Sequence, residues 1–414
     1  MIELAEAIAL VEQAAAPLPP RRQPLLQACG RRLAAPVVSD VDSPPWDRAM
    51  MDGFAVRSED FAPGAAEVVE LDVAIDLAAG DVTTLRIARG TCARIMTGAP
   101  VPAGAGAIVP IEAAVDDTAR MHAGGRVRLR DDRFRDRQHI ARQGAAFRCG
   151  QQVLAAGTVL GSAEIGLAAE AGATHVLAVP RVRVAILSTG SELVPPEAVP
   201  VFGQTRNSNG PMIAAAVHLL GAEPIPIGTV ADRPEAIQGA VAQGLAADVL
   251  VLSGGVSAGD LDLVPEIFRQ CGVEKIFHKV RLKPGKPVWF GIFRRDHAPP
   301  TLVFGLPGNP ASSLVCFELF VRPAIAILAG EPREAWHLPR RVARLTGPAK
   351  AAADRPVYLP CRLSQSGGEL EASPLPWTGS SDLLGMVGAA GLLALPAGGK
   401  RYEAGEEVEV VLRG

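Results

Sequence analysis

Between residues 181 and 328 the chain repeats one rhythm, a short apolar run followed by an amphipathic segment. The runs 182–187, 224–227 and 248–252 have strand length, and 211–220, 234–243 and 261–270 carry apolar residues at helical spacing. The runs 273–277, 288–292 and 301–304 read as further strands, and 311–328 as a long closing helix. Strands alternating with helices predict a parallel sheet covered by helices on both faces. Such sheets bind ligands outside the carboxyl ends of their strands.

Four loops of this segment have unusual composition. The first, Ser188-Thr189-Gly190-Ser191-Glu192-Leu193, follows the run 182–187. The second is Ser253-Gly254-Gly255-Val256-Ser257-Ala258-Gly259-Asp260-Leu261-Asp262. Its glycines let the backbone approach a ligand closely, and N–H groups at a helix start favour anions. Asp260 and Asp262 add carboxylates able to hold a cation beside such an anion. A phosphorylated ligand with a metal fits this loop, and so does an ordinary glycine turn before an aspartate-capped helix. The third loop, Lys279-Val280-Arg281-Leu282-Lys283-Pro284-Gly285-Lys286-Pro287, gathers cations on a proline-stiffened segment. It suits a phosphate or oxyanion, or equally a basic tip in water. The fourth, Gly305-Leu306-Pro307-Gly308-Asn309-Pro310, puts Asn309 at a helix cap with Pro310 at the first helical position. Glu192 and Asp232, each also readable as a surface or capping residue, complete an anion site flanked by carboxylates.

The rest of the chain has a different texture. Residues 2–16 predict a helix ended by Pro17, and 25–33 a second one before Pro36. From 54 to about 145, short apolar runs (68–73, 92–96, 107–109, 127–129) are separated by Gly, Pro and Asp, as in a β-rich module. The charge-dense stretch 126–142 reads as a solvated strand edge. A helix near 162–171 suggests that the chain returns to its N-terminal region, which makes the β module an insertion. Past Gly330 the chain is again punctuated by Pro and Gly, with 408–412 a last strand of a small all-β domain. The expected divisions are 1–40 with 146–180, then 41–145, 181–329 and 330–414.

A chain of 414 residues exceeds one usual domain. A net charge of −3 and 4% aromatic residues exclude a broad basic surface or a base-stacking platform, so no nucleic-acid partner is expected. The six cysteines form no CxxC or Cys/His cluster, which argues against structural zinc or a disulfide framework and for buried free thiols in a reducing compartment. Met1-Ile2-Glu3-Leu4-Ala5-Glu6 lacks the basic start of a signal peptide, and no apolar run approaches the ~20 residues that span a bilayer. A cytoplasmic protein without membrane contact is expected.

The second, third and fourth loops, together with Met51-Asp52-Gly53-Phe54-Ala55-Val56-Arg57 and Arg94-Ile95-Met96-Thr97-Gly98-Ala99-Pro100, resemble the motifs of the molybdopterin molybdenumtransferase family, to which the C-terminal domain of gephyrin is related. Their order and spacing hold from about residue 1 to 412. The resemblance implies a multidomain fold: an elongated helical N-terminal domain with an inserted β domain, a Rossmann-like parallel-sheet pterin-binding α/β domain and a C-terminal β-barrel. It implies insertion of molybdenum from molybdate into adenylylated molybdopterin with release of AMP, assisted by Mg2+. It also implies a homodimer whose active site is shared between subunits, with Asp52 and Thr97 acting in trans, and other proteins of molybdenum cofactor biosynthesis as partners.

By the same resemblance, Ser188, Thr189, Gly190, Ser253, Gly254, Gly255, Ser257, Pro307, Gly308 and Asn309 would hold the pterin and its phosphate. Glu192, Asp232 and Asp262 would act at the cation, with Asp232 and Asp262 as its ligands. Lys279, Lys283, Lys286 and Ser380 would face molybdate. Two departures stand out. Ala146 occupies a position where the family has an aspartate, and Pro360 one where it has an arginine, with Arg362 two residues on as a substitute. They keep open an impaired molybdopterin-binding scaffold or carrier, beside a tungstate-inserting homologue. Molybdopterin adenylyltransfer is a further alternative, which the three extra domains oppose.

Overall fold

The structure, a computed structural model, describes residues 1–61, 67–115, 121–256 and 263–413. The chain forms two compact units, one of residues 1–21, 30–32 and 178 onward, the other of 22–29 and 33–177.

The first unit is built on a six-stranded sheet in the order Glu223–Val230, Arg183–Thr189, Val249–Ser253, Ala298–Leu306, Trp289–Arg295, Glu274–His278. The first four strands run parallel. The last two pairings are antiparallel, so Trp289–Arg295 runs against the other five strands, which corrects the expectation of an all-parallel sheet. The reason is connection length. Only Asp296 and His297 separate Trp289–Arg295 from Ala298–Leu306, and a two-residue link makes a hairpin, whereas a parallel crossover needs a dozen residues or more. Strand Val249–Ser253 is buried at every position, as expected of a central strand covered on both faces.

The helices Asn209–Leu219, Pro234–Gly244 and Val264–Gln270 follow their strands. The last presents Val264, Ile267 and Phe268 to the core, the apolar face read from the sequence. The closing helical run, Pro310–Leu328, corrects another expectation. It is long and apolar enough to cross a membrane by length and composition, yet 94% of its most apolar 18 residues are buried inside the protein. It passes through a five-residue π-turn, Phe317–Val321, and its side chains belong to one buried apolar cluster with Ala7 and Val11 of helix Leu4–Ala14 and with Met386 and Val411 near the chain's other end. The C-terminal strands Arg340–Leu345, Glu369–Pro374, Val357–Ser366, Gly391–Leu395 and Glu407–Leu412 close into a barrel.

The second unit carries a five-stranded sheet in the order Ala107–Pro110, Gly53–Val56, Thr91–Ile95, Val69–Leu77, Arg126–Leu129. Phe54 and Val56 point into one apolar cluster and Ala55 into another, so both faces are covered. Arg126 sits on the edge strand and pairs with Glu70 and Asp72, as a solvated edge should. Helix is scarcer here than expected. Among the described residues of this unit, Ser162–Glu170 is the one α-helix. The helix read over 25–33 is a single 3-10 turn, Leu25–Ala28, because Gly30 turns the chain at φ +72°. The thiols are also less uniform than expected: Cys92, Cys316 and Cys361 are buried, while Cys29 and Cys149 are exposed.

Candidate active site

The four parallel strands all end at one edge of the sheet, and their loops surround a cavity of about 780 Å³. Thr189, Gly190, Glu192, Asp232, Ser253, Gly254, Gly255, Pro307, Gly308 and Asn309 all line it, so most residues expected at a pterin site share one cavity.

The turn after Val249–Ser253 depends on its glycines. Gly254 has φ +99° and Gly255 φ +60°. A Cβ on Gly254 would stand 2.3 Å from the Thr189 carbonyl oxygen, and one on Gly255 2.7 Å from Val264. The Gly254 N–H donates to the Leu306 carbonyl at 3.0 Å, which draws the second and fourth loops together. Ser257, Asp260 and Asp262 lie outside the described residues. Past that stretch the described chain resumes at Leu263, directly before helix Val264–Gln270.

Beneath the cavity, Ser188 is buried and does not line it. Its hydroxyl lies 3.1 Å from that of Ser253, its register partner in the sheet, and donates to Asn207 at 3.3 Å. Asp232 joins the first loop to the strand beside it. Its carboxylate accepts from the Thr189 hydroxyl at 2.6 Å and from the Ser191 N–H at 3.0 Å.

The expected cap at Asn309 takes a different form. The residue stands at the helix cap, but its side chain makes no capping bond. Its Nδ2 donates instead to the Ser380 hydroxyl at 2.8 Å, and the Ala311 N–H donates to the Ser380 carbonyl. Ser380 itself does not line the cavity, whereas Ser381 and Leu383 do.

Lys279, Lys283 and Lys286 also stay off the cavity wall, to which their loop contributes Pro287. Lys283 and Lys286 are exposed. The backbone of their loop is fixed to the barrel, with the Lys283 N–H donating to Pro356 and the Tyr358 N–H to Lys283. Pro360 is buried and Arg362 exposed, and neither borders the cavity.

The segment Arg206-Asn207-Ser208-Asn209 lines the cavity and was not read as part of a site. Asn207 accepts from the Gly210 N–H and donates to the Thr229 hydroxyl, so it clips the loop to two strand ends. Asn209 is 7% exposed, donates to the Gly308 carbonyl at 2.8 Å and leaves its Oδ1 without a partner. The signal in the sequence was a run of small polar side chains just before an apolar helix.

In the other unit, the antiparallel pairing of Gly53 with Ile95 sets Asp52 beside Thr97. One Asp52 oxygen accepts from both the Thr97 N–H and its hydroxyl, each at 2.7 Å. These bonds, with the charge of Arg94, hold the Asp52 carboxyl below its ordinary pKa.

A cation was also expected. Among the described residues no group of three or more His, Cys, Asp or Glu forms a metal cage. Glu192 and Asp232 do share the cavity. That donor set fits magnesium, which is held by one or two carboxylates and completed by substrate phosphates and water.

The comparisons with known proteins follow the same plan. The profile of the MoeA N-terminal region (domain I and II) matches residues 2–172, that of a probable molybdopterin binding domain 185–327, and that of the MoeA C-terminal region (domain IV) 342–412. The protein named molybdopterin molybdenumtransferase 2 of Mycobacterium tuberculosis is 36% identical over 401 residues, covering 94% of this chain and 93% of its own. The chain belongs to the molybdopterin molybdenumtransferase family. A Nostoc relative named molybdopterin molybdenumtransferase is 39% identical over 314 residues, 74% of this chain and 69% of that one. The crystal structure of the molybdopterin biosynthesis MoeA protein from Pyrococcus horikoshii matches with a TM-score of 0.77 and 29% identity over all of both chains. This is a family of transferases with a role in molybdenum cofactor biosynthesis, and its solved members share the multidomain architecture.

Proposed function

We propose that this chain inserts molybdenum from molybdate into adenylylated molybdopterin, with cleavage of the phosphoanhydride and release of AMP. The observation that carries the reading is the cavity at the sheet's carboxyl edge, where the Gly254-Gly255 turn, the Pro307-Gly308-Asn309 loop and two carboxylates meet. The glycine turn admits a phosphate close to the backbone. Asp232, tied to Thr189 and Ser191, gives the first loop a fixed shape against that phosphate. Glu192 and Asp232, with Asp262 of the undescribed stretch, would hold the magnesium ion. Bound magnesium draws charge off a phosphoanhydride. Ser380 accepts from Asn309 and so keeps its own O–H free to donate to an oxyanion such as molybdate. Lys279, Lys283 and Lys286 add positive charge on the neighbouring loop.

The reading includes a cytoplasmic homodimer in which Asp52 and Thr97 of one subunit serve the cavity of the other. Thr97 donates both of its hydrogen bonds to Asp52, so the carboxylate stays ionised and acts as an acceptor rather than a proton donor.

The test mixes the purified protein with adenylylated molybdopterin, magnesium and molybdate, and follows AMP release and dithiolene metallation. AMP at blank level would overturn the reading. Binding of the pterin without turnover would assign a scaffold instead, and a parallel reaction with tungstate compares the two anions.

A further inference from the structure

Three charged residues border the cavity among the described residues: Glu192, Asp232 and Arg206. Two are negative, so a ligand carrying phosphates meets repulsion there unless a cation offsets it. The lysines of the third loop do not border the cavity, which leaves Arg206 as the one cation in its described wall.

Arg206 is placed to use that charge. It lies on the two-residue strand Thr205–Arg206, which pairs in parallel with Leu193–Val194. Its backbone is pinned on both sides. The Thr205 N–H donates to Glu192 at 2.9 Å, and the Asn207 N–H donates to Val194 at 2.8 Å. The Arg206 Nε–H donates to the Ala198 carbonyl at 2.9 Å, which fixes the plane of the guanidinium. The two terminal nitrogens make no ion pair with any described residue, although the side chain is exposed. A guanidinium anchored at Nε with a free terminal fork matches a phosphate, which takes two parallel N–H donors.

We infer that Arg206 is a substrate-binding residue that grips a phosphate of the substrate's phosphoanhydride at the cavity. The inference rests on the reading of the cavity as the site of adenylylated molybdopterin. The phosphate belongs either to the adenylyl group or to the pterin side chain, and both present the same oxyanion to the fork.

The experiment titrates wild type, R206Q and R206K with four probes: adenylylated molybdopterin, molybdopterin, AMP and adenosine. R206Q is expected to weaken the adenylylated substrate roughly tenfold, with R206K between it and wild type. If the gripped phosphate is the adenylyl one, AMP weakens with it while adenosine binds R206Q as it binds wild type. If it is the pterin phosphate, molybdopterin weakens and AMP does not. Equal weakening of AMP and adenosine, with molybdopterin unaffected, would mean that Arg206 only shapes the wall, through Ala198. Unchanged binding of all four probes would mean that the fork meets only water. Either result overturns the inference. If R206Q does not fold, R206M, which keeps the aliphatic stem, takes its place. Wild type that binds no probe and releases no AMP would sink the functional reading and this inference together. Wild type that turns over, with R206Q binding every probe equally well, would remove the inference alone.

Discussion

Asn309 and Ser380 lie 71 positions apart, and a 2.8 Å hydrogen bond from the amide of one to the hydroxyl of the other joins the loop that opens the buried helix to the barrel domain. The contact is partly exposed, so its net worth is modest. Asn309→Ala and Ser380→Ala are each expected to cost about 1 kcal/mol, with a coupling of about 0.5–1 kcal/mol in the double mutant. Urea midpoints of the four proteins measure this. Strictly additive losses would show that the two side chains do not depend on each other.

Gly254→Ala tests whether the turn requires the absence of a side chain. The added methyl would sit 2.3 Å from the Thr189 carbonyl oxygen at a residue with φ +99°. A cost of about 2 kcal/mol or more is expected, together with loss of AMP release. Gly203→Ala is the comparison, because that residue also has positive φ, +86°, but open space around its Cβ. It should cost about 1 kcal/mol and leave turnover alone. Equal effects of the two changes would reduce the argument at Gly254 to backbone strain.

The Asp52–Thr97 pair makes a prediction about pH. The folded-state pKa of Asp52 is lowered, first by the Thr97 N–H, then by its hydroxyl and by Arg94. A depressed carboxylate favours the folded state above its unfolded pKa, which is about 3.9, and loses that contribution as pH falls through the lower folded value. Asp52 therefore keeps its charge throughout the neutral range, and activity changes between about pH 5 and 8 must originate elsewhere. Thr97→Val removes the hydroxyl and should move the Asp52 titration upward, toward the ordinary value. Carboxyl-carbon NMR titration reads both. An Asp52 midpoint above about 4.5 in wild type would contradict the hydrogen-bond geometry.

Residues whose periodicity decides their structure were readable from the sequence. The run 248–252 became Val249–Ser253, and 234–243 became Pro234–Gly244, because burial on two faces or one stripe leaves a plain apolar pattern. Strand direction was not readable, since 288–292 and 301–304 are as apolar as parallel strands and only the two-residue link betrays the hairpin. The helix over 25–33 failed because three leucines in a short window imitate a stripe that Gly30 interrupts. At the site, glycines and carboxylates stood out because their chemistry is local. Arg206 and Asn209 did not, because what distinguishes them is a wall shared with residues as distant in sequence as Gly308 and Leu383.

The buried run Pro310–Leu328 bears on how the chain must be made. The apolar cluster it belongs to draws on both ends of the sequence, from Ala7 and Val11 to Met386 and Val411. Until the barrel strands emerge from the ribosome, this greasy 19-residue stretch has only part of its covering. Contacts of such sequence separation form late. A nascent chain stalled near Gly330 would thus present to chaperones, and to the membrane-insertion machinery, a segment that the finished protein hides.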